Sequence, residues 1–314
     1  MKKIIALLFA IALTLSFISG LFAQNVAPKD IHLPNQEEVN RQIFDKVYSA
    51  VKDDASLPMP ELVVKIAKQF LGTQYIWASL ETEPEQLQVY LDKTDCILFV
   101  ELSSCFALTV KGYEIVQAGD GEHFCLRGEP SVRKAEPSYE TLCNNIRNMR
   151  YRLGKVDDYT SRIHYTSEWI LQNQTNGIVR EFSREIGEQF DQPFFYMSTH
   201  TDTYVQLKNN PDRQARIKSM EKHIEAQTPY FYVSQANLRK PEVISQIHSG
   251  DIIAFISPRD GLDLAHVAIA CEDEKGEMHF IHASYGKKKV VFESESLADY
   301  ATNGIRVCRY NPAL

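Results

Sequence analysis

The chain has 314 residues, 44% of them hydrophobic and 24% charged, with 34 basic against 41 acidic side chains and a formal charge of −7. A chain this long can bury a large core, and its acidic balance leaves no electrostatic footprint for nucleic acid. Beyond the first residues, no segment approaches the ~20 consecutive apolar residues that span a bilayer.

The start of the chain is Met1-Lys2-Lys3, an apolar run over 4–23, and small residues Ser19, Gly20 and Ala23 before Gln24. That pattern is a secretory signal peptide over residues 1–23, cut after Ala23. No cysteine stands at the cleavage region, so no lipid anchor is expected, and residues 24–314 form the exported protein, located in the periplasm. Removal of Lys2 and Lys3 takes the charge from −7 to −9.

Helical periodicity follows over 35–51 and 61–70, with Pro58 and Pro60 marking the boundary. Thr94-Asp95-Cys96 then reads as a polar turn opening an amphipathic helix that runs to Leu108. Asp95 is a candidate N-cap, and Cys96 falls on the first turn. A helix N-terminus offers unpaired N–H groups and a positive dipole end, which favour a thiolate and can hold an oxyanion. The plainer reading of Cys96 is a core residue or half of a disulfide.

From about residue 111 the pattern is irregular, until a helix over 138–152 carrying Leu142, Ile146 and Met149. Residues 159–173 hold Arg162, His164 and Tyr165, then a helix with Trp169. Arg162 suits a substrate carboxylate and Tyr165 a sugar face, or else they are a paired arginine and a core aromatic. The charged helix over 211–226 reads as a solvated face, and His123, His200 and His223 as surface histidines.

The C-terminal part is β-rich, with runs over 250–256, 262–271 and 278–284. The last two, separated by a charged, Gly-containing turn, predict a hairpin. A turn centred near Glu274 puts His266 directly opposite His282, within the ~4.5–5.5 Å that separates opposed Cβ atoms. A base and its orienting partner need such spacing. His279 falls on the other face and is the bystander.

Six cysteines, Cys96, Cys105, Cys125, Cys143, Cys271 and Cys308, have irregular spacing. Cys125 with Cys143 is the one disulfide pair considered; Cys105 and Cys271 sit in apolar runs as core residues do. With no CxxC or HExxH, neither a metal site nor a cofactor is expected.

Taken together, Leu71-Gly72-Thr73-Gln74-Tyr75, Asp95-Cys96, Gly250-Asp251-Ile252-Ile253, His266-Val267-Ala268-Ile269 and Ile281-His282-Ala283-Ser284 resemble the NlpC-type cell-wall amidase and peptidase superfamily. Ser161-Arg162-Ile163-His164-Tyr165 with Trp169, and Gly261-Leu262-Asp263, resemble one branch of it, the N-acetylmuramoyl-L-alanine amidase-like family. The usual Gly-Thr-Pro-Tyr is Gly-Thr-Gln-Tyr here. The resemblance implies an α+β, papain-like fold: a nucleophile helix packed on an antiparallel sheet, with a large, mainly helical insertion over about 115–245 in a single elaborated catalytic domain.

It also implies a Cys96, His266 and His282 triad, with Tyr75, Asp95, Arg162, His164 and Tyr165 toward substrate. The implied activity is hydrolysis of the amide between N-acetylmuramic acid and L-alanine in small or anhydro-muropeptides, through a thioester, by a monomer. A peptidase of the stem peptide cutting after D-glutamate, an acyltransferase, and a non-catalytic wall-binding protein are the alternatives.

Overall fold

Gln36–Val51 (α1) and Met59–Gln69 (α2) form where the periodicity places them, with Pro58 at the N-terminal boundary of α2. The computed structural model describes residues 35–120, 123–227 and 229–314, so the leader over 1–23 lies outside the described residues. Residues from Gln36 onward pack as one unit.

The next helix, Cys96–Val110 (α3), is capped by Asp95, whose side chain accepts the Leu98 N–H at 2.9 Å. Every residue from Leu98 to Val110 is buried, so the expected amphipathic helix is instead buried all round. A helix of that kind belongs in the centre of a core. Three of its polar side chains find partners: Glu101 pairs with Arg150 at 2.7 Å, Ser104 donates to the Val100 carbonyl at 2.7 Å, and Thr109 donates to the Cys105 carbonyl at 2.8 Å. It lies between α2, the helix Tyr139–Arg150 (α4) and the sheet.

Eight strands make that sheet: Gln74–Tyr75 (β1), Lys93–Thr94 (β2), Val179–Glu181 (β3), Ile252–Ile256 (β4), Leu264–Glu272 (β5), Met278–Ser284 (β6), Lys289–Phe292 (β7) and Ile305–Tyr310 (β8). Their order is β2-β1-β7-β6-β5-β4-β8-β3, antiparallel except between β1 and β2. The fold is thus α+β, and α3 packs on β5 and β6.

The β5–β6 hairpin differs from expectation by two residues. Met278 pairs with Glu272 and Ile281 with Ile269, which centres the turn on Lys275 rather than Glu274. His266 and His282 are therefore not directly opposite. A slip of one residue turns a side chain to the other face of a sheet, but a slip of two does not. Both histidines stay on one face and meet diagonally.

Between residues 115 and 245 the longest elements are the helices α4, Thr166–Thr175 (α5) and Pro211–Glu225 (α6), joined by irregular chain and short strands. This segment is stitched into the sheet, because its strand β3 pairs with β8. The charged helix α6 is not wholly a solvated face: Ile217 and Ile224 point into an apolar cluster with Tyr165, Phe194, Met197 and Tyr230. All six cysteines are free, so Cys125 and Cys143 are not joined; Cys105, Cys271 and Cys308 are buried. Among the described residues no helix is long and apolar enough to cross a membrane.

Gly250 opens β4 with φ +93°, and a Cβ there would lie 2.5 Å from the Pro60 carbonyl oxygen and Cβ. Left-handed backbone and a clash against backbone atoms act together. Gly250→Ala is expected to lower stability by about 2–4 kcal/mol in thermal or denaturant unfolding.

Candidate active site

Three strand ends and one helix end converge at Cys96. Tyr75 on β1 is the register partner of Thr94 on β2, two residues before the cysteine. The backbone N–H groups of Val267, the residue after His266, of Ile97 and of Cys96 itself lie near the Cys96 sulfur and favour its charged form. The helix end thereby meets β5 beside His266.

On the sheet, His266 Nε2 lies 2.6 Å from His282 Nδ1, with the rings edge to face at 4.9 Å between centroids. His282 Nε2 lies 3.2 Å from Glu293 Oε2. Lys287 holds both Glu293 oxygens at 2.7 Å, and the Ser294 N–H donates to Oε1 at 2.9 Å. Phe255, Phe280 and Tyr300 pack round the two imidazoles and fix their planes.

These contacts dictate the tautomers. An ionised carboxylate only accepts, so His282 carries its proton on Nε2. Its Nδ1 is then an acceptor, which takes the Nε2–H of His266 and leaves His266 Nδ1 with a free lone pair. Burial, then the neighbouring His282, pull His266 down to about 3, and burial also lowers His282. Each ring therefore holds one proton at neutral pH.

Burial opposes ionisation of Glu293, but Lys287, the Glu295 N–H and His282 hold its carboxyl down to about 2 from an ordinary 4.5. A carboxyl lowered by folding contributes stability above its unfolded value and loses it as pH falls toward the folded one. Acid unfolding of the native protein should carry this component between pH 4.5 and 2. In Glu293→Gln that window should flatten, as followed by circular dichroism.

Burial, then the Asp95 charge, push the Cys96 thiol up to about 12, against the pull of the three N–H groups. The helix terminus alone does not hold a thiolate, contrary to the expectation from local sequence. Burial thus favours the thiol form of Cys96. Burial, then the Cys96 and Asp95 charges, also raise the Tyr75 phenol, so it stays an O–H donor.

Next to Asp95 opens a cavity of about 170 Å³, whose lining includes Glu81, Ile97, Glu101, Arg150, Arg162, His164, Tyr165 and Trp169. Arg162 lines it but is not a free cation: its guanidinium binds Glu85 at 3.0 Å and Glu81 at 3.1 Å. His164 Nε2 meets the Tyr159 carbonyl at 2.8 Å, and burial drives its pKa well down. Tyr165 donates to Glu221 at 2.7 Å and accepts the Met197 N–H at 3.0 Å. These three residues build the wall through contacts already made within the protein. Asp95 serves as the cap of α3, and burial raises its carboxyl above the usual range against the pull of the Leu98 N–H, Arg150 and Arg162.

His279 lies on the opposite face of β6 and meets the Glu295 carbonyl at 3.0 Å, as a bystander does. Glu293, Lys287 and Tyr300 were not anticipated. One signal was present: Glu293 ends the β-run Val290-Val291-Phe292, and its N–H donates to the Phe280 carbonyl, on the face shared with His282.

Comparison with known proteins assigns the chain to the amidase-like hydrolases. More narrowly, it belongs to the N-acetylmuramoyl-L-alanine amidase-like family, whose model matches residues 65–305. Among solved structures, an N-acetylmuramoyl-L-alanine amidase from Bacteroides uniformis superposes with a TM-score of 0.68 at 28% identity, over 80% of this chain and 98% of that one. A Bacteroides fragilis protein provisionally described as a xylanase gives 0.64 at 30% identity, over 77% and 98%. A Legionella pneumophila protein shares the fold alone, with 0.57 at 22% identity over 88% and 97%. No curated protein matches the chain. The family supports a peptidoglycan amidase-like function and a peptidoglycan-fragment substrate.

Proposed function

We propose that the protein is an exported, papain-like cysteine amidase that cuts the amide between the lactyl carbonyl of N-acetylmuramic acid and L-alanine in small muropeptides. The observation that carries this reading is the hydrogen-bond chain Glu293–His282–His266, which leaves His266 Nδ1 with a lone pair on the strand whose next residue, Val267, has its N–H near the Cys96 sulfur. A chain of acceptors with one unsatisfied basic nitrogen is what a general base requires.

In the reaction, Cys96 gives its proton to His266 Nδ1 as the sulfur attacks the lactyl carbonyl carbon. The backbone N–H groups at the start of α3 and the Tyr75 hydroxyl receive the oxyanion. His266 then protonates the departing amine of L-alanine, leaving a thioester on Cys96. Water, deprotonated by the same nitrogen, attacks the thioester and releases the muramic acid and the free thiol. His282 accepts the His266 Nε2–H throughout, and Glu293 keeps His282 in the accepting tautomer.

A cavity of about 170 Å³ beside Asp95 supports a preference for short stems over intact wall. Residues 1–23 support export to the periplasm, and the chain works as a monomer. Mass spectrometry of an anhydro-muramyl tripeptide digest tests the bond assignment. Free tripeptide with L-alanine at its N-terminus is the expected product. Cleavage after D-glutamate instead would make the protein a stem-peptide peptidase.

A further inference from the structure

Trp77 is 79% exposed and Tyr285 60% exposed, the two large side chains of the described residues that lie next to the site and face water. Large apolar groups left in water beside a reactive centre ask for an explanation. These two are also held in place. Tyr285 meets Trp77 at 6.2 Å and Tyr75 at 5.5 Å, both edge to face, and the Lys288 ammonium sits 3.4 Å over the Tyr285 ring. Ala78, directly after Trp77, is in the left-handed region at φ 53°, a turn that most residues avoid.

The cluster's position follows from the strands. Tyr75 ends β1 beside Thr94, and Trp77 follows it by two residues. Tyr285 leaves β6 three residues after His282. The aromatic group therefore stands at the strand ends that carry the base system and flank the nucleophile. None of the three rings lines the cavity beside Asp95, whose walls are charged.

We infer that Trp77, braced by Tyr285 and Tyr75, is a stacking platform for the pyranose ring on the acyl side of the scissile amide. An indole face is electron-rich, and the flat face of a pyranose presents polarised C–H groups to it, leaving the hydroxyls in water. One Tyr285 face is covered by Lys288, so Trp77 supplies the stacking surface and Tyr285 its support. The two sides of the bond then lie in different places: the sugar lies on the aromatic group, and the stem peptide lies toward the cavity beside Asp95. This assignment rests on the amidase reading above and adds the glycan subsite to it.

Binding can be read without turnover. The chain has two tryptophans, the exposed Trp77 and the buried Trp169. Titrating the native protein with the methyl glycoside of N-acetylmuramic acid should give a saturable change in tryptophan emission. Trp77→Phe should lose that change, and Tyr285→Ala should weaken the midpoint about tenfold. Both replacements are at exposed positions. In kinetics, Trp77→Ala should lower the ratio of kcat/KM for a muramyl-dipeptide over a sugar-free lactoyl-dipeptide by about tenfold. An emission response that survives in Trp77→Phe, or an unchanged ratio while native turnover still depends on Cys96, overturns the platform. Turnover that does not depend on Cys96 overturns the amidase mechanism instead, and the titration still decides the platform.

Discussion

Replacing Cys96 by alanine should reduce release of L-alanyl peptide by more than about 10⁴-fold, leaving at most the residual rate given by substrate positioning. The side chain caps no helix and makes no ion pair, and it is small and only partly buried against the core. Loss of the sulfur therefore removes chemistry with little effect on folding, and the thermal unfolding midpoint should stay within a few degrees of native. Cys105→Ala is the control. Cys105 lies one helical stretch further on, fully buried in the core, so its replacement should cost stability and spare turnover in the folded fraction. The opposite pattern would move the nucleophile.

The second large effect is expected at the far end of the hydrogen-bond chain. Glu293→Ala should lower kcat by about 10²- to 10⁴-fold and leave KM near its native value. Glu293 reaches the reaction only through His282, at 3.2 Å, and through it His266 at 2.6 Å. Without the carboxylate, His282 is free to place its proton on Nδ1, where it confronts the His266 Nε2–H and turns the base away. A merely structural acid would change stability or KM but would not affect the rate of the chemical step so selectively. An unchanged kcat in a folded Glu293→Ala protein would show that the tautomer needs no such anchor. His282→Ala should be at least as damaging, because the acceptor for His266 is then gone altogether.

The parts of this site that could be read from the sequence are those governed by local rules. Asp95 caps the helix and Cys96 sits on its first turn, because an N-cap is decided by residues three apart. The shared face of His266 and His282 survived a register error, because the side-chain period of a strand is two and the error was two. Their direct opposition did not survive, since residues 273–277 allow more than one turn and the one formed is set by the Asp273–Glu277 and Gly276–Asp273 backbone hydrogen bonds and by the Asp273 carboxylate, which accepts the Lys275 and Glu277 N–H groups. The second hairpin, β6 to β7, was not read at all, and Glu293 was lost with it. The sequence could not decide between a substrate-binding and a paired Arg162, because its partners Glu81 and Glu85 lie 81 and 77 residues upstream, in an irregular stretch with no periodicity to place them. The helix that carries Cys96 looked amphipathic because Glu101, Ser103, Ser104 and Thr109 are polar, although all of them are buried. Electrostatics was the least legible: a helix N-terminus argues for a thiolate, but burial and the Asp95 charge outweigh it once the surroundings are known.

The claim on which the account turns is that the acyl group passes through Cys96. Trapping that intermediate tests it most directly. An anhydro-muramyl tripeptide mixed with native protein and quenched in acid within milliseconds should give a fraction of chains heavier by one muramyl acyl group. Peptide mapping should place that mass on the segment containing Cys96, hydroxylamine should remove it as expected of a thioester, and Cys96→Ala protein should not acquire it. Acylation on any other residue, or full turnover with no acyl-protein while Cys96→Ala protein remains active, would contradict the mechanism.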